Sequence, residues 1–104
     1  MLFRSYLISG RDAEAMLNRM VTRDVTKLGL DRVLYTVWCT DAGRVIDDGT
    51  IFKLGSEKFQ LNCGSPCIAW LEKSAFGFDA VTVTDVSDDL AALSLQGQIG
   101  RAHV

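Results

Sequence analysis

The segment that decides the fold runs Val33-Leu34-Tyr35-Thr36-Val37-Trp38-Cys39-Thr40-Asp41-Ala42-Gly43-Arg44-Val45-Ile46-Asp47-Asp48-Gly49-Thr50-Ile51-Phe52-Lys53-Leu54. Its first six residues are β-branched, aromatic or aliphatic on both alternating faces, which predicts a strand covered in part on each side. Asp41-Ala42-Gly43-Arg44 is a turn, and Val45 to Leu54 returns as the second strand of a hairpin. Gly55-Ser56-Glu57 turns the chain again, into a further strand over Lys58 to Cys63.

Upstream, Leu2 to Ile8 is short, apolar and rich in β-formers, so it reads as the first strand. Ser9-Gly10-Arg11-Asp12 has the spacing of a capping box. Ala13, Met16, Leu17 and Met20 then fall on one stripe of a helix ending near Met20 or Val21. Thr22 to Asp31 is a connection. Downstream, Ser65 as N-cap and Pro66 at the first position predict a second helix with Cys67, Trp70, Leu71 and Ser74 on one face. Val81 to Thr84 reads as a strand and Leu90 to Gln96 as another. The order is β-α-β-β-β-α-β-β, an α+β fold with a mostly antiparallel sheet and two main helices.

Composition narrows the function. The chain has 104 residues, 48% hydrophobic and 23% charged, the proportions of one soluble globular domain. A chain of this size buries roughly 60–70% of its unfolded surface, enough for one core. The net charge is −2 with only 11 Lys plus Arg, which argues against a nucleic-acid partner held by electrostatics. No aromatic, basic run suited to RNA is present either. No apolar stretch reaches the ~18–20 residues of a membrane span, and the N-terminus lacks the pattern of a signal peptide. Three cysteines, an odd number, then read as thiols in a reducing, cytoplasmic setting. The expectation is no metal site, because Cys39, Cys63 and Cys67 would need His103 near a chain end.

The chemistry-bearing signal is Asp47-Asp48 inside an apolar, strand-like run, where carboxylates are disfavoured. Successive strand residues point to opposite faces, so the two cannot share a proton and at most one faces a given pocket. On spacing alone, the plainer reading is that both lie at a strand end or at a bulge made possible by Gly49.

From Leu7 to Gly97 the chain resembles the folate-binding domain of the glycine-cleavage T-protein family of aminomethyltransferases. The resemblance rests on Ser9-Gly10-Arg11-Asp12-Ala13 before Leu17-Asn18-Arg19, then Thr22-Arg23-Asp24-Val25, Val33-Leu34-Tyr35-Thr36 and Gly43 through Asp48. Trp70-Leu71 and Leu93-Ser94-Leu95-Gln96-Gly97 complete it in the same order. It implies a fragment of a longer enzyme that passes a one-carbon unit to tetrahydrofolate from an amine or methylated donor, with a lipoyl carrier protein as a further partner. It also implies that one of the paired carboxylates faces the folate. By position that role goes to Asp47 as the catalytic residue, with Tyr35 and Cys63 lining the folate pocket. The alternative within the resemblance is a non-catalytic folate-binding protein of the iron–sulfur-cluster maintenance type.

The sequence departs from the family pattern at three places. Gly49-Thr50 follows the aspartates where leucine is common. Leu61-Asn62-Cys63-Gly64 stands where Val-Val-Asn is usual, with glycine in the asparagine place, so Asn62 would serve only with a shifted register. Gln98 stands where proline is usual. Arg19, Arg23 and Arg32 read first as solvated surface charge, with a patch for a folate glutamyl tail as the other reading. Trp38 and Trp70 read as core. Residues 1–98 are therefore expected to be a partial folate-binding domain that is inactive and prone to self-association alone. Residues 99–104 are expected to be a non-native tail, since they match one frame of a common sequencing adapter.

Overall fold

The computed structural model describes residues 4–87. Strands β1 (Arg4–Ser9), β2 (Val33–Cys39), β3 (Val45–Gly55), β4 (Lys58–Cys63) and β5 (Thr82–Asp85) form one sheet in the order β2-β3-β4-β1-β5. Every neighbouring pair is antiparallel. Helices α1 (Ala13–Met20) and α2 (Ile68–Ser74) complete the α+β architecture, with a 3-10 turn at Val25–Lys27. The strand expected over Leu90 to Gln96, and the tail 99–104, lie outside the described residues.

Strand alternation explains why the helices cover one face only. Tyr6 and Ile8 of β1, Trp38 of β2, Ile51 of β3 and Phe59 and Leu61 of β4 are all buried on the same side. The helical stripe Ala13, Met16, Leu17 and Met20 joins them, as does Leu71 of α2. At ~25 cal/mol per Å² of apolar surface removed from water, each of these large side chains contributes on the order of 1.5–3 kcal/mol against the entropy of ordering the chain. On the other face of the same strands, opposite α1 and α2, stand Tyr35, Asp48, Thr50, Gln60 and Asn62, of which Tyr35 and Asp48 are exposed and Asn62 is buried.

Two helix starts differ from the sequence expectation. The N-cap of α1 is Asp12, without a side-chain cap bond, so the capping box from Ser9 does not form. Gly10 turns at φ 124°, and the Asp12 carboxylate instead accepts the Ala80 amide at 3.0 Å. That bond ties α1 to the approach of β5. A side chain at Gly10 would also collide with Ala80, because a Cβ there would lie 2.2 Å from its carbonyl oxygen.

The N-cap of α2 is Cys67, not Ser65, and Pro66 precedes the helix. The Cys67 amide donates to the buried Tyr6 hydroxyl at 3.0 Å, a tertiary bond that postpones the first helical turn. At its other end α2 is held by Arg19 of α1. The guanidinium donates to the carbonyls of Ser74 and, at 2.7 Å, Phe76, and lies 4.5 Å from the Phe78 ring centroid. Arg19 is thus a cap on the C-terminal carbonyls of α2 rather than part of a basic patch.

Candidate functional site

The site is built on the β2–β3 hairpin and its junction with β4. Pairing sets Tyr35 opposite Thr50, Val37 opposite Asp48 and Trp38 opposite Asp47. The register shifts between Trp38 and Cys39, because Cys39 pairs with Val45 and leaves Ile46 as an extra residue in β3. The bulge therefore lies at Ile46 and not at Gly49. Gly49 has a different reason to lack a side chain. A Cβ there would meet the Asn62 carbonyl oxygen at 2.2 Å and the Trp38 ring at 3.2 Å. Glycine lets the indole close over β3, where Trp38 is completely buried, as expected for core.

The two carboxylates point to opposite faces, as strand alternation requires. Asp48 is exposed on the face opposite α1 and α2 and accepts a hydrogen bond from the Tyr35 hydroxyl. That bond holds the Tyr35 proton, so its phenol titrates above the usual value. Tyr35 is 57% exposed, which leaves one side of its ring free to meet a flat ligand. Beside this pair lies a polar cluster centred on Asn62. Its side-chain oxygen accepts from Ser5 Oγ and from Gln60 Nε2, both at 2.8 Å, and its amide nitrogen reaches Thr50 Oγ1 at 3.5 Å. Ser5 is itself buried by Ser87, whose hydroxyl accepts the Ser5 amide at 2.9 Å. Asn62 thus lies, buried, on the same side of the sheet as Tyr35 with β4 in register opposite Thr50, and the β3–β4 shift lies between Lys53 and Gly55.

Asp47 belongs to the other environment. It pairs across from Trp38; one carboxylate oxygen accepts the Asp48 amide at 2.8 Å and the other is buried without a partner. Cys63 lies on this helix-covered face too, with its sulfur 3.4 Å from Cys67. The three residues read from the sequence as one pocket therefore divide. Tyr35 stands on the open face, and Asp47 and Cys63 stand under the helices. The sequence reading missed the grouping of Tyr35 with Asp48, Thr50 and Asn62. Hairpin pairing is the signal that finds it, since Tyr35 and Thr50 are directly opposed and Asp48 is diagonal to Tyr35 on the same face.

Of the remaining cations, Arg23 donates to the Tyr35 carbonyl at 3.2 Å. With Lys27 and Arg32 it lines a cleft of about 450 Å³ along the outer edge of β2. Among the described residues no group of three or more His, Cys, Asp and Glu side chains is placed to hold a metal ion. No helix among them is long and apolar enough to cross a membrane.

Comparison with known proteins places this hairpin in a family. The aminomethyltransferase of Clostridium botulinum (strain Loch Maree / Type A3) is 33% identical over 97 residues, 89% of this chain and 26% of that protein. The aminomethyltransferase of Halalkalibacterium halodurans is 34% identical over 96 residues, 88% of this chain and 26% of its own length. The fold matches that of the glycine cleavage system aminomethyltransferase T from Bartonella henselae with a TM-score of 0.75 at 22% identity, covering 82% of this chain and 24% of that one. The chain spans about a quarter of the length of these relatives. The model of the GCVT N-terminal domain matches residues 1–102, and the chain belongs to that family.

Proposed function

We propose that the face of this sheet opposite α1 and α2 forms one wall of a tetrahydrofolate site in a one-carbon transferase. The observation that carries this reading is the Tyr35–Asp48 pair, exposed beside Thr50 and Asn62 on one face of a domain whose relatives are aminomethyltransferases. The residues suit the ligand's chemistry. An exposed phenol ring offers an apolar surface to a flat pterin, and a carboxylate accepts from ring N–H groups. Asn62 and Thr50 supply further donors and acceptors at the border.

Tetrahydrofolate would supply the nitrogen that takes up the one-carbon unit from an aminomethyl donor. The protein's part in that step is electrostatic. Asp48 is the carboxylate assigned here to orient the reactive nitrogen and to stabilise positive charge developing at the attacked centre. Tyr35 positions it by holding one oxygen through the phenol hydroxyl. This moves the pocket-facing role from Asp47, the sequence assignment, to Asp48. Asp47 points at Trp38 and the cysteines, where its charge is separated from the open face by the sheet.

The test is a titration of tetrahydrofolate into the ¹⁵N-labelled chain, followed by amide chemical shifts. Shifts are expected around Tyr35, Asp48, Thr50 and Asn62 and absent along Ala13–Met20. Perturbations confined to the helical layer, or none at millimolar ligand, would overturn the reading.

A further inference from the structure

Cys63 closes β4 and Cys67 caps α2, and their sulfurs stand 3.4 Å apart across the turn Gly64-Ser65-Pro66. Both thiols are nearly buried, at 3% and 6% exposure, while the three residues between them are exposed. Each cysteine is fixed from its own side. Cys63 is held in the β4 ladder opposite Gly49 and Arg4, and its thiol donates to the Ser65 carbonyl at 3.2 Å. Cys67 is held by its amide bond to the Tyr6 hydroxyl, a residue in the middle of the core. Nothing in the proposed folate chemistry uses either sulfur.

We infer that Cys63 and Cys67 form a peroxide-oxidisable dithiol that closes to a disulfide within the folded domain. The sulfurs are already in contact at 3.4 Å, so a bond of about 2.05 Å requires an approach of about 1.4 Å across the exposed turn. Either thiol can donate across the contact, and the sulfur that accepts has its thiolate favoured. In the proposed sequence Cys63 attacks and Cys67 resolves the product.

The steps balance with hydrogen peroxide as the oxidant. The Cys63 thiolate attacks one peroxide oxygen, forming an S–O bond and breaking the O–O bond; the leaving hydroxide takes a proton and departs as water. The Cys67 sulfur then attacks the sulfenic sulfur, forming S–S and breaking S–O. The second hydroxide leaves as water with the Cys67 proton. Each sulfur is oxidised by one electron, and the two peroxide oxygens are reduced by one electron each.

The chain carries its own internal control. Cys39 is half-buried on β2 and free, and trypsin places it in a different peptide from the pair. Cleavage after Lys58 and Lys73 leaves Cys63 and Cys67 together in the peptide Phe59–Lys73. The folded chain is treated with hydrogen peroxide, then alkylated under denaturing conditions, digested and weighed. The expected product is Phe59–Lys73 two hydrogens lighter, carrying no alkyl group, and returned to the doubly alkylated form by a reductant. Cys63→Ser should abolish it, and Cys67→Ser should leave Cys63 as a sulfenic acid captured by dimedone. A chain in which Cys63 and Cys67 both stay alkylatable while Cys39 is oxidised would overturn the inference. So would a pair that closes only in urea, or links only between chains. Circular dichroism of each serine variant separates loss of the fold from loss of the reaction.

Discussion

Gly49→Ala offers the sharpest structural test of the hairpin that carries the site. The glycine lies in the middle of β3, between β2 and β4, and a Cβ there would sit 2.2 Å from the Asn62 carbonyl oxygen. Restoring an ordinary contact means moving β3 from β4 by about 1 Å, or twisting the pair until the ladder bonds at Cys63 lengthen. The Trp38 ring, 3.2 Å from the same point, must also give way inside a filled core. Overpacking costs typically 1–3 kcal/mol, and a backbone obstacle at two contacts lies at or above the upper end. A loss of about 3 kcal/mol is a large part of the ~5–15 kcal/mol stability of a small domain. It corresponds to a fall in Tm of about 12–24 °C. Urea and thermal unfolding, followed by far-UV circular dichroism and tryptophan fluorescence, measure it. Gly64→Ala is the control, since nothing lies within 4 Å and its φ is ordinary. It should be neutral or stabilise by up to about 1 kcal/mol. A Gly49→Ala protein within about 0.5 kcal/mol of the parent would refute the argument that the indole requires glycine at this position.

Removing Arg19 should destabilise α2, although α2 itself is untouched. Arg19→Ala loses two bonds to helix-end carbonyls and the Phe78 stack, at a cost of about 1–2 kcal/mol in chemical denaturation; Arg19→Lys, lacking the planar fork, should recover only part. Alkaline spectrophotometric titration should show Tyr35 ionising above pH ~10, with Asp48→Asn bringing it back toward that value. A raised phenol favours the folded state below pH ~10, a contribution lost as pH climbs through the folded value. The 104-residue chain alone should turn over no folate-linked reaction, because it supplies about a quarter of its relatives' length. Steady-state assay with tetrahydrofolate and an aminomethyl donor checks this, and measurable turnover would contradict it.

Much of the sheet is legible in the sequence because its strands are bounded by unambiguous turn residues. Gly55-Ser56-Glu57 fixes the start of β4 at Lys58, and Asp41-Ala42-Gly43-Arg44 separates β2 from β3. The faces of those strands are harder to read. Ile51 and Phe52 are both apolar, as are Val37 and Trp38, so alternation cannot say which member of each pair looks at the helices. That ambiguity is why alternation sends Asp47 and Asp48 to opposite faces without saying which of them shares the face of Tyr35. The buried Trp38 and Ile51 settle it in the structure, and they place Asp47 on their side.

The helix starts were obscured for a related reason. Ser9 and Ser65 have good capping chemistry, yet Gly10, Asp12 and Cys67 are claimed by tertiary partners at Ala80 and Tyr6. A local signal loses where a long-range bond satisfies the same groups. Asn62 illustrates the reverse case. Its place on the same side of the sheet as Tyr35 comes from ordinary pairing with Thr50, which a family pattern centred on the neighbouring positions conceals.

Asp48, and not Asp47, is the carboxylate proposed to face the folate. Kinetics of paired variants in a full-length aminomethyltransferase bearing this hairpin test it most directly. Asp48→Asn should lower kcat by about 10²-fold or more with a modest change in folate affinity, since shape is kept and only the charge is lost. Asp47→Asn should lower kcat by less than about tenfold and act mainly on stability, through its buried oxygen beneath the sheet. The opposite ordering would contradict the account, and a drop below tenfold for both would show that neither carboxylate takes part in the transfer.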